Sequence, residues 1–463
     1  CEICSKLRHI FDKQSGECVA CNLGRDVGLI VGLVAGFAAT TAMLLLLGAW
    51  LLKGRRPKTT AIHRLVHPLA AIAAPIFKQL LGFYMISSVV DTVYNIDFPD
   101  EYSYWLDFFS LLGGGFEQIV QHGDCFGSVK VRLLLFSFLF PFVLVIVWLL
   151  LRLIIVPRLW RPFGGRAQCK QIHERRPASA LHLRIAYSCT SAFVFISFYL
   201  VNPITRIVLS AIGDCVVFDV DSKTTMSFLR LDMAVTCGSS AHNSIKETAW
   251  AILVLWPVGV PIMYALLLFK CRDAIQRGPA DHKLETAISF LWKDYKPEYF
   301  WWEELDMLRR LTISSFVLLI PAEHKLSRLT FTLLVSVGFF SLLNTVAPYK
   351  HRIVSAVAHA SHLALVLVLI GCLVICICER PSECTAYFGL SGTFEVSLLV
   401  LLISIAMLAV VLVACVAVIR NEQLAARTLR LAVWKRDGSF LAPDFLDETR
   451  WHLFLSHQWS AAQ

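Results

Sequence analysis

The sequence predicts an all-α polytopic membrane protein of about nine transmembrane helices. Its N-terminus lies outside, its C-terminus lies in the cytosol, and a small disulfide-rich module precedes the helices. Three observations carry this. Nine apolar runs, most of them at or above the roughly 20 residues a helix needs to cross about 30 Å of hydrocarbon, take up most of the 463 residues. The chain is 57% hydrophobic and only 17% charged, with a mean hydropathy of +0.63, and the charges gather in short blocks between runs. Blocks rich in Lys and Arg follow every second run, the pattern of cytosolic loops. Because the runs are continuous rather than alternating, helices and not a closed barrel satisfy the backbone in lipid. The net charge of +9 is then a property of those loops, and no nucleic-acid partner is implied.

Run 1 covers 27–52 without a charge, and Lys53, Arg55, Arg56 and Lys58 place its end in the cytosol. Run 2 (69–94) leads out to an acidic, aromatic stretch from 97 to 125, and run 3 (131–156) returns to Arg158, Arg161, Arg166 and Lys170. Run 4 (183–208) ends in an outer loop that holds Asp214, Asp219, Asp221 and Asp232. Run 5 (248–269) comes back to Lys270, Arg272 and Arg277. Run 6 (305–321) is the shortest; run 7 (326–347) closes at Lys350 and Arg352. Run 8 (353–378) and run 9 (394–419) follow, and Arg420, Arg427, Arg430, Lys435 and Arg436 form a basic tail. Nine crossings reconcile both termini with their flanking charges, which eight do not. The chain divides into an extracellular Cys-rich module (1–25), a helical bundle (26–420), a cytosolic basic linker (421–450) and the opening of a further domain (451–463). With no Met at Cys1 and a motif interrupted at Gln463, more chain is expected at both ends.

There are fifteen cysteines. Cys1, Cys4, Cys18 and Cys21 have the spacing of a zinc knuckle, but an extracellular position favours two disulfides. Cys125, Cys215, Cys237 and Cys384 also fall on outer loops, an even external set; Cys215–Cys237 with Cys125–Cys384 is one pairing of several. Cys189, Cys372, Cys376, Cys378 and Cys415 lie in or near runs and read as small packing residues.

Ionisable groups inside a crossing cost about 2.5–3.5 kcal/mol at its centre on insertion scales. Lys78 in run 2 either snorkels to the cytosolic face or serves a pore or ligand; Asp91, near the outer end of the run, is expected in water. His359 and His362, three apart in run 8, share a face and either bond to neighbouring helices or form a proton or metal site. Asn344 is expected to bond between helices. Pro75, Pro141 and Pro203 interrupt runs 2 to 4. Pro257, Gly259 and Pro261 in run 5 predict a kink, for gating or for packing. The aromatic segment 102–121, around Gly113-Gly114-Gly115, lies on the outer interface or re-enters the bilayer. Ahead of run 6, Trp301, Trp302, Glu303, Asp306, Arg309 and Arg310 combine aromatic rings with charge, which suits an interfacial anchor or a helix coupling cytosol to bundle. Glu303, Asp306 and Arg310 share a face, and the two arginines can meet lipid phosphates or these carboxylates.

The paired Cys-x2-Cys motifs with Cys21-Asn22-Leu23-Gly24 resemble the ephrin-receptor-like cysteine repeat of many protist and algal membrane proteins. The bundle resembles transient-receptor-potential-like (polycystin-related) multi-pass proteins, on Tyr295, Trp301-Trp302-Glu303, Arg309-Arg310, Pro348-Tyr349-Lys350 and Asp124-Cys125. Trp451 to Ser460, containing Phe454-Leu455-Ser456-His457, resembles the opening strand of a TIR domain. These resemblances imply a plasma-membrane cation channel or channel-like sensor, with membrane lipids and cations as partners and copies assembled as a homo-oligomer. A non-conducting receptor relaying to the TIR-like domain and a lipid or solute transporter are the alternatives. No catalytic constellation, metal site or cofactor motif is expected, and the chain does not read as an enzyme.

Overall fold

A computed structural model of the chain describes residues 75–96, 98, 128–160, 178–213, 215–221, 224–229, 231–277, 283–321, 323–379, 381–389 and 393–431. It also describes strands at 9–12 and 17–20 and five positions between 28 and 35. Apart from those five positions, run 1 lies outside the described residues, as do Gly113-Gly114-Gly115, Cys1, Cys4, Cys21, Cys125 and the TIR-like segment, and Cys18 is described only as part of a strand. That strand, β2 (Glu17–Ala20), pairs antiparallel with β1 (His9–Asp12), with Phe11 opposite Cys18.

Most of the remainder is helical. Among the described residues, seven helices are long and apolar enough to cross a membrane, judged by length and composition. They are α1 (Pro75–Tyr94), α2 (Val129–Leu151), α3 (Ala178–Gly213), α4 (Ser240–Arg277), α6 (Lys325–Val346), α7 (Arg352–Cys378) and α8 (Phe394–Leu431). Run 6 departs from expectation. Its helix, α5 (Trp302–Ser314), starts earlier than the apolar run and stops well before Pro321, and a 3-10 turn over Phe316–Leu319 completes it. With five charged residues in 13, α5 is no candidate span by composition.

Side-chain contacts nevertheless show α5 running alongside α1 for most of that helix's length. Lys78, near the start of α1, pairs with Glu303, and the Tyr94 hydroxyl at its end donates to the Ile313 carbonyl at 2.9 Å. α3 runs in the same direction, since Phe198 lies under Arg310 and the Asn202 carbonyl accepts from Ser315 at 3.3 Å. α6 runs against them, with Phe339 beside Trp302 at one end and Arg328 donating to Leu318 and Ile320 at the other.

Three apolar cores form. One joins α2, α3 and α4 and includes Met307 and Leu311 of α5; a second joins α1, α6, α7 and α8 and includes Ile313 and Val317. A third lies around Trp302, Phe339, Leu343, Tyr295 and Tyr349. α5 therefore sits between the cores and is buried almost all round, which a helix of its polarity tolerates only if its charges find partners inside.

The prolines are accommodated locally. Pro141 follows a π-helical turn, Leu135–Leu139, and Pro257 lies within another, Val254–Val258. A proline ring displaces the carbonyl four residues before it, which for Pro141 is that of Ser137. The buried Trp256 indole donates to this carbonyl at 3.1 Å, so the two π-turns brace each other. The expected irregularity at Pro257 is thus a π-turn, with Gly259 and Pro261 opening the α-helix after it.

The connection between α3 and α4, expected as an outer loop, is not irregular. It forms an antiparallel sheet of β3 (Cys215–Asp221), β4 (Thr224–Leu229) and β5 (Asp232–Thr236). Cys215 and Cys237 close it with a disulfide. A second disulfide joins Cys378 to Cys384, in the short helix Pro381–Phe388. This corrects two expectations: Cys378 is not a packing thiol, and Cys384 is not the partner of Cys125. The turn after α7 brings Cys378 and Cys384 within a Cα distance of 4.4 Å, a local closure that outcompetes a distant loop.

Candidate functional site: a buried ionic cluster

Four of the six residues singled out before run 6 turn their charges into the protein. On α5, Glu303, Asp306 and Arg310 fall at i, i+3 and i+7 and therefore share a face, and Arg309 follows Asp306 by three. Arg310 Nη2 donates to Glu303 Oε1 at 2.8 Å, and its Nε lies 3.2 Å from Asp306 Oδ2. Arg309 Nε and Nη2 both reach Asp306 Oδ1, at 2.9 and 2.8 Å. All four residues are buried, Glu303 to 1% exposure, so the lipid-phosphate alternative does not apply. Trp302 is fully buried and Trp301 half exposed; of the two rings, only Trp301 is placed to meet an interface.

Lys78 completes the cluster from α1. Its ammonium pairs with Glu303, donates to the Phe290 carbonyl at 2.9 Å and lies 3.7 Å from Asp294 Oδ2. The Phe290 ring is 4.3 Å away, a cation–π contact that dresses the remaining side of the charge. Snorkelling is thereby corrected: the side chain is buried because ion pair, carbonyl and ring together replace water. Asp91 also departs from expectation, with one carboxylate oxygen buried.

A second layer fixes the first. The Tyr295 hydroxyl donates to Glu303 Oε2 at 2.6 Å, and its ring meets that of Tyr349. The two tyrosines form an antiparallel bridge, held by Lys296 N–H to Pro348 O at 2.8 Å and Lys350 N–H to Asp294 O at 3.1 Å. Lys296 Nζ reaches the Ala347 carbonyl at 2.7 Å and Lys350 Nζ that of Lys293 at 2.8 Å. Two motifs more than 50 residues apart in the sequence are therefore one structure. Burial, with the Glu303 carboxylate beside it, pushes the Tyr295 phenol well above the usual tyrosine range. Burial next to Asp306 and Glu303 does the same to Tyr349. Both stay protonated, and Tyr295 remains a donor to Glu303.

The two histidines separate. His362 is buried, lines the cluster and packs on Phe339 with ring centroids 5.2 Å apart. His359 instead contacts the Ser355 carbonyl of its own helix through Nδ1 at 2.6 Å and lies against Phe340. They form no joint site. Asn344 is exposed and donates within its own helix, to Phe340 O at 2.9 Å, rather than across to another. Cys215, Cys237 and His242 are the one group of three metal-ligand side chains that converge among the described residues, and the disulfide takes two of them.

Sequence reading found the α5 charges because their spacing is local. It did not find Asp294 or the Phe198 and Phe290 rings, which come from elsewhere and carry no pattern of their own. Comparison with family models, curated proteins and solved structures gives no match to this chain.

Proposed function

We propose that this protein is a multi-pass membrane sensor that relays a signal from its outer module and sheet to its cytosolic end, without conducting ions through its own bundle. One observation carries the reading: among the described residues, the polar interior around Lys78 is small and bordered by apolar side chains. Its lining runs directly into Phe83, Ile86 and Leu365, and the void inside it measures about 10 Å³, room for about one water. A conducting bundle needs a continuous polar path; a relay needs packed helices with a small number of switchable interhelical bonds, of which Lys78–Glu303 is the clearest. In this reading the N-terminus is outside, the C-terminus is cytosolic in the plasma membrane, and the TIR-like segment receives the output.

A second reading, a cation path between copies of the chain, is favoured by Ser341, Asn344 and Thr345, which are exposed together on α6. Planar-bilayer recording of the purified protein separates the two. Silent bilayers with folded, inserted protein are expected. Unitary currents altered by Lys78→Ala would overturn the relay reading, and currents altered only by Asn344→Leu would establish the path between copies.

A further inference from the structure

The hydrogen bonds of the ionic cluster do not balance. Each carboxylate oxygen is already engaged. Glu303 Oε1 accepts from Arg310, and Oε2 takes Lys78 and Tyr295. Asp306 Oδ1 accepts from Arg309, and Oδ2 faces Arg310 Nε. Donors are left over. Arg309 Nη1 is buried with no hydrogen-bond partner among the described residues, while the guanidinium lies on the Phe339 ring at 4.8 Å and its other two nitrogens are engaged. Gln79 and His362 line the same void, and neither makes a hydrogen bond to another described residue. A buried guanidinium nitrogen without an acceptor carries a full desolvation penalty, so what completes the site must accept hydrogen bonds.

Charge narrows the choice. The void is lined by three cations, Lys78, Arg309 and Arg310, against two carboxylates, Glu303 and Asp306. Asp294, which pairs with Lys78 at 3.7 Å, lies outside this lining and is partly exposed. The void holds one water-sized body, which excludes phosphate, carboxylate and every other polyatomic acid.

We propose that the void is a binding site for one monatomic anion, a halide of which chloride is the abundant form, held by Arg309 Nη1 with the Gln79 amide and the His362 ring as further donors. The anion accepts the unused hydrogen bonds and locks α1, α5 and α7 together, since these three helices supply the lining. Being slightly larger than water, it is admitted by a small shift of the flexible Gln79 and Lys78 side chains. The site does not depend on whether the protein relays or conducts.

The test is thermal unfolding of the purified full chain in detergent, read by intrinsic fluorescence at constant ionic strength. Sodium gluconate is replaced stepwise by chloride, bromide or sulfate. A saturable rise in Tm with chloride and bromide is expected, absent with sulfate and lost in Arg309→Gln. Should that variant not fold, Gln79→Leu takes its place and is expected to raise the halide concentration giving half the effect. Equal Tm in all salts, a rise shared by sulfate, or a halide effect unchanged in the variant that folds would overturn the proposal and leave a water in the void.

Discussion

At the end of the bundle where α3 passes into the sheet, two disulfides, Cys215–Cys237 and Cys378–Cys384, fasten the connections. There Arg328 donates to the Val93 and Ile320 carbonyls at 2.8 and 2.7 Å, gathering the last turn of α1 and the turn after α5. At the opposite end, the described residues are joined by ion pairs around Glu303 and by the bridge between Tyr295 and Tyr349. The first set of ties is mainly covalent or made to backbone carbonyls, which do not titrate, with the ion pairs Arg132–Asp232 and Lys325–Glu379 beside them. The second adds to one backbone bridge a cluster of charges taken out of water, whose pairing is balanced against desolvation. Covalent closure holds whatever the charge state, whereas an ionic cluster loses most of its stability if one member is lost. The lesson is that a rigid end and a switchable end can be built into one bundle with no difference in overall shape.

The sharpest way to break the contrast is Glu303→Gln. It leaves Lys78 and Arg310 buried with their shared carboxylate gone, and such losses cost about 3–5 kcal/mol; a large fall in Tm, with or without reductant, is expected. Cys215→Ser opens a link spanning 22 positions, for which about 2–4 kcal/mol is typical. Reductant should then lower the Tm of the variant less than that of the parent.

Between the ends, Gly371→Ala sharpens the comparison, because neither charge nor sulfur is involved. A Cβ at Gly371 would sit 2.4 Å from Val400 Cγ2, so α7 and α8 approach too closely for any larger residue. Overpacking of about 1–3 kcal/mol is expected, with recovery in the double variant carrying Val400→Ala. The smallest effect, about 1 kcal/mol, is expected for Trp256→Phe, which removes the indole bond to the Ser137 carbonyl and nothing charged. Unfolding curves of the two variants check both values.

Much of the bundle was legible in the sequence because crossing a bilayer demands long apolar runs: α7 begins and ends close to where composition places it, and α8 begins there but continues to Leu431, into the basic tail. Run 6 differs in extent: the sequence places it at 305–321, whereas the helix spans Trp302–Ser314, where the charges of Glu303, Asp306, Arg309 and Arg310 are tolerated through mutual pairing. The sheet between α3 and α4 was missed because its acidic residues outweighed the β-branched and aromatic signal in Val216-Val217-Phe218 and Thr224-Thr225. Of the site, the face shared by Glu303, Asp306 and Arg310 was visible from helical spacing. That Lys78 meets Glu303 across 225 positions was not, because nothing local to either residue encodes a tertiary partner.

The central claim is that the ionic end is one cooperative unit in which α1 is held to α5 through Lys78 and Glu303. A double-mutant cycle of Lys78→Met and Glu303→Gln, read as unfolding free energy, tests it most directly. The account predicts that the double variant is more stable than the sum of the single losses allows, by about 1–3 kcal/mol. Additive losses within about 0.5 kcal/mol would show that the two charges act independently, and would contradict it.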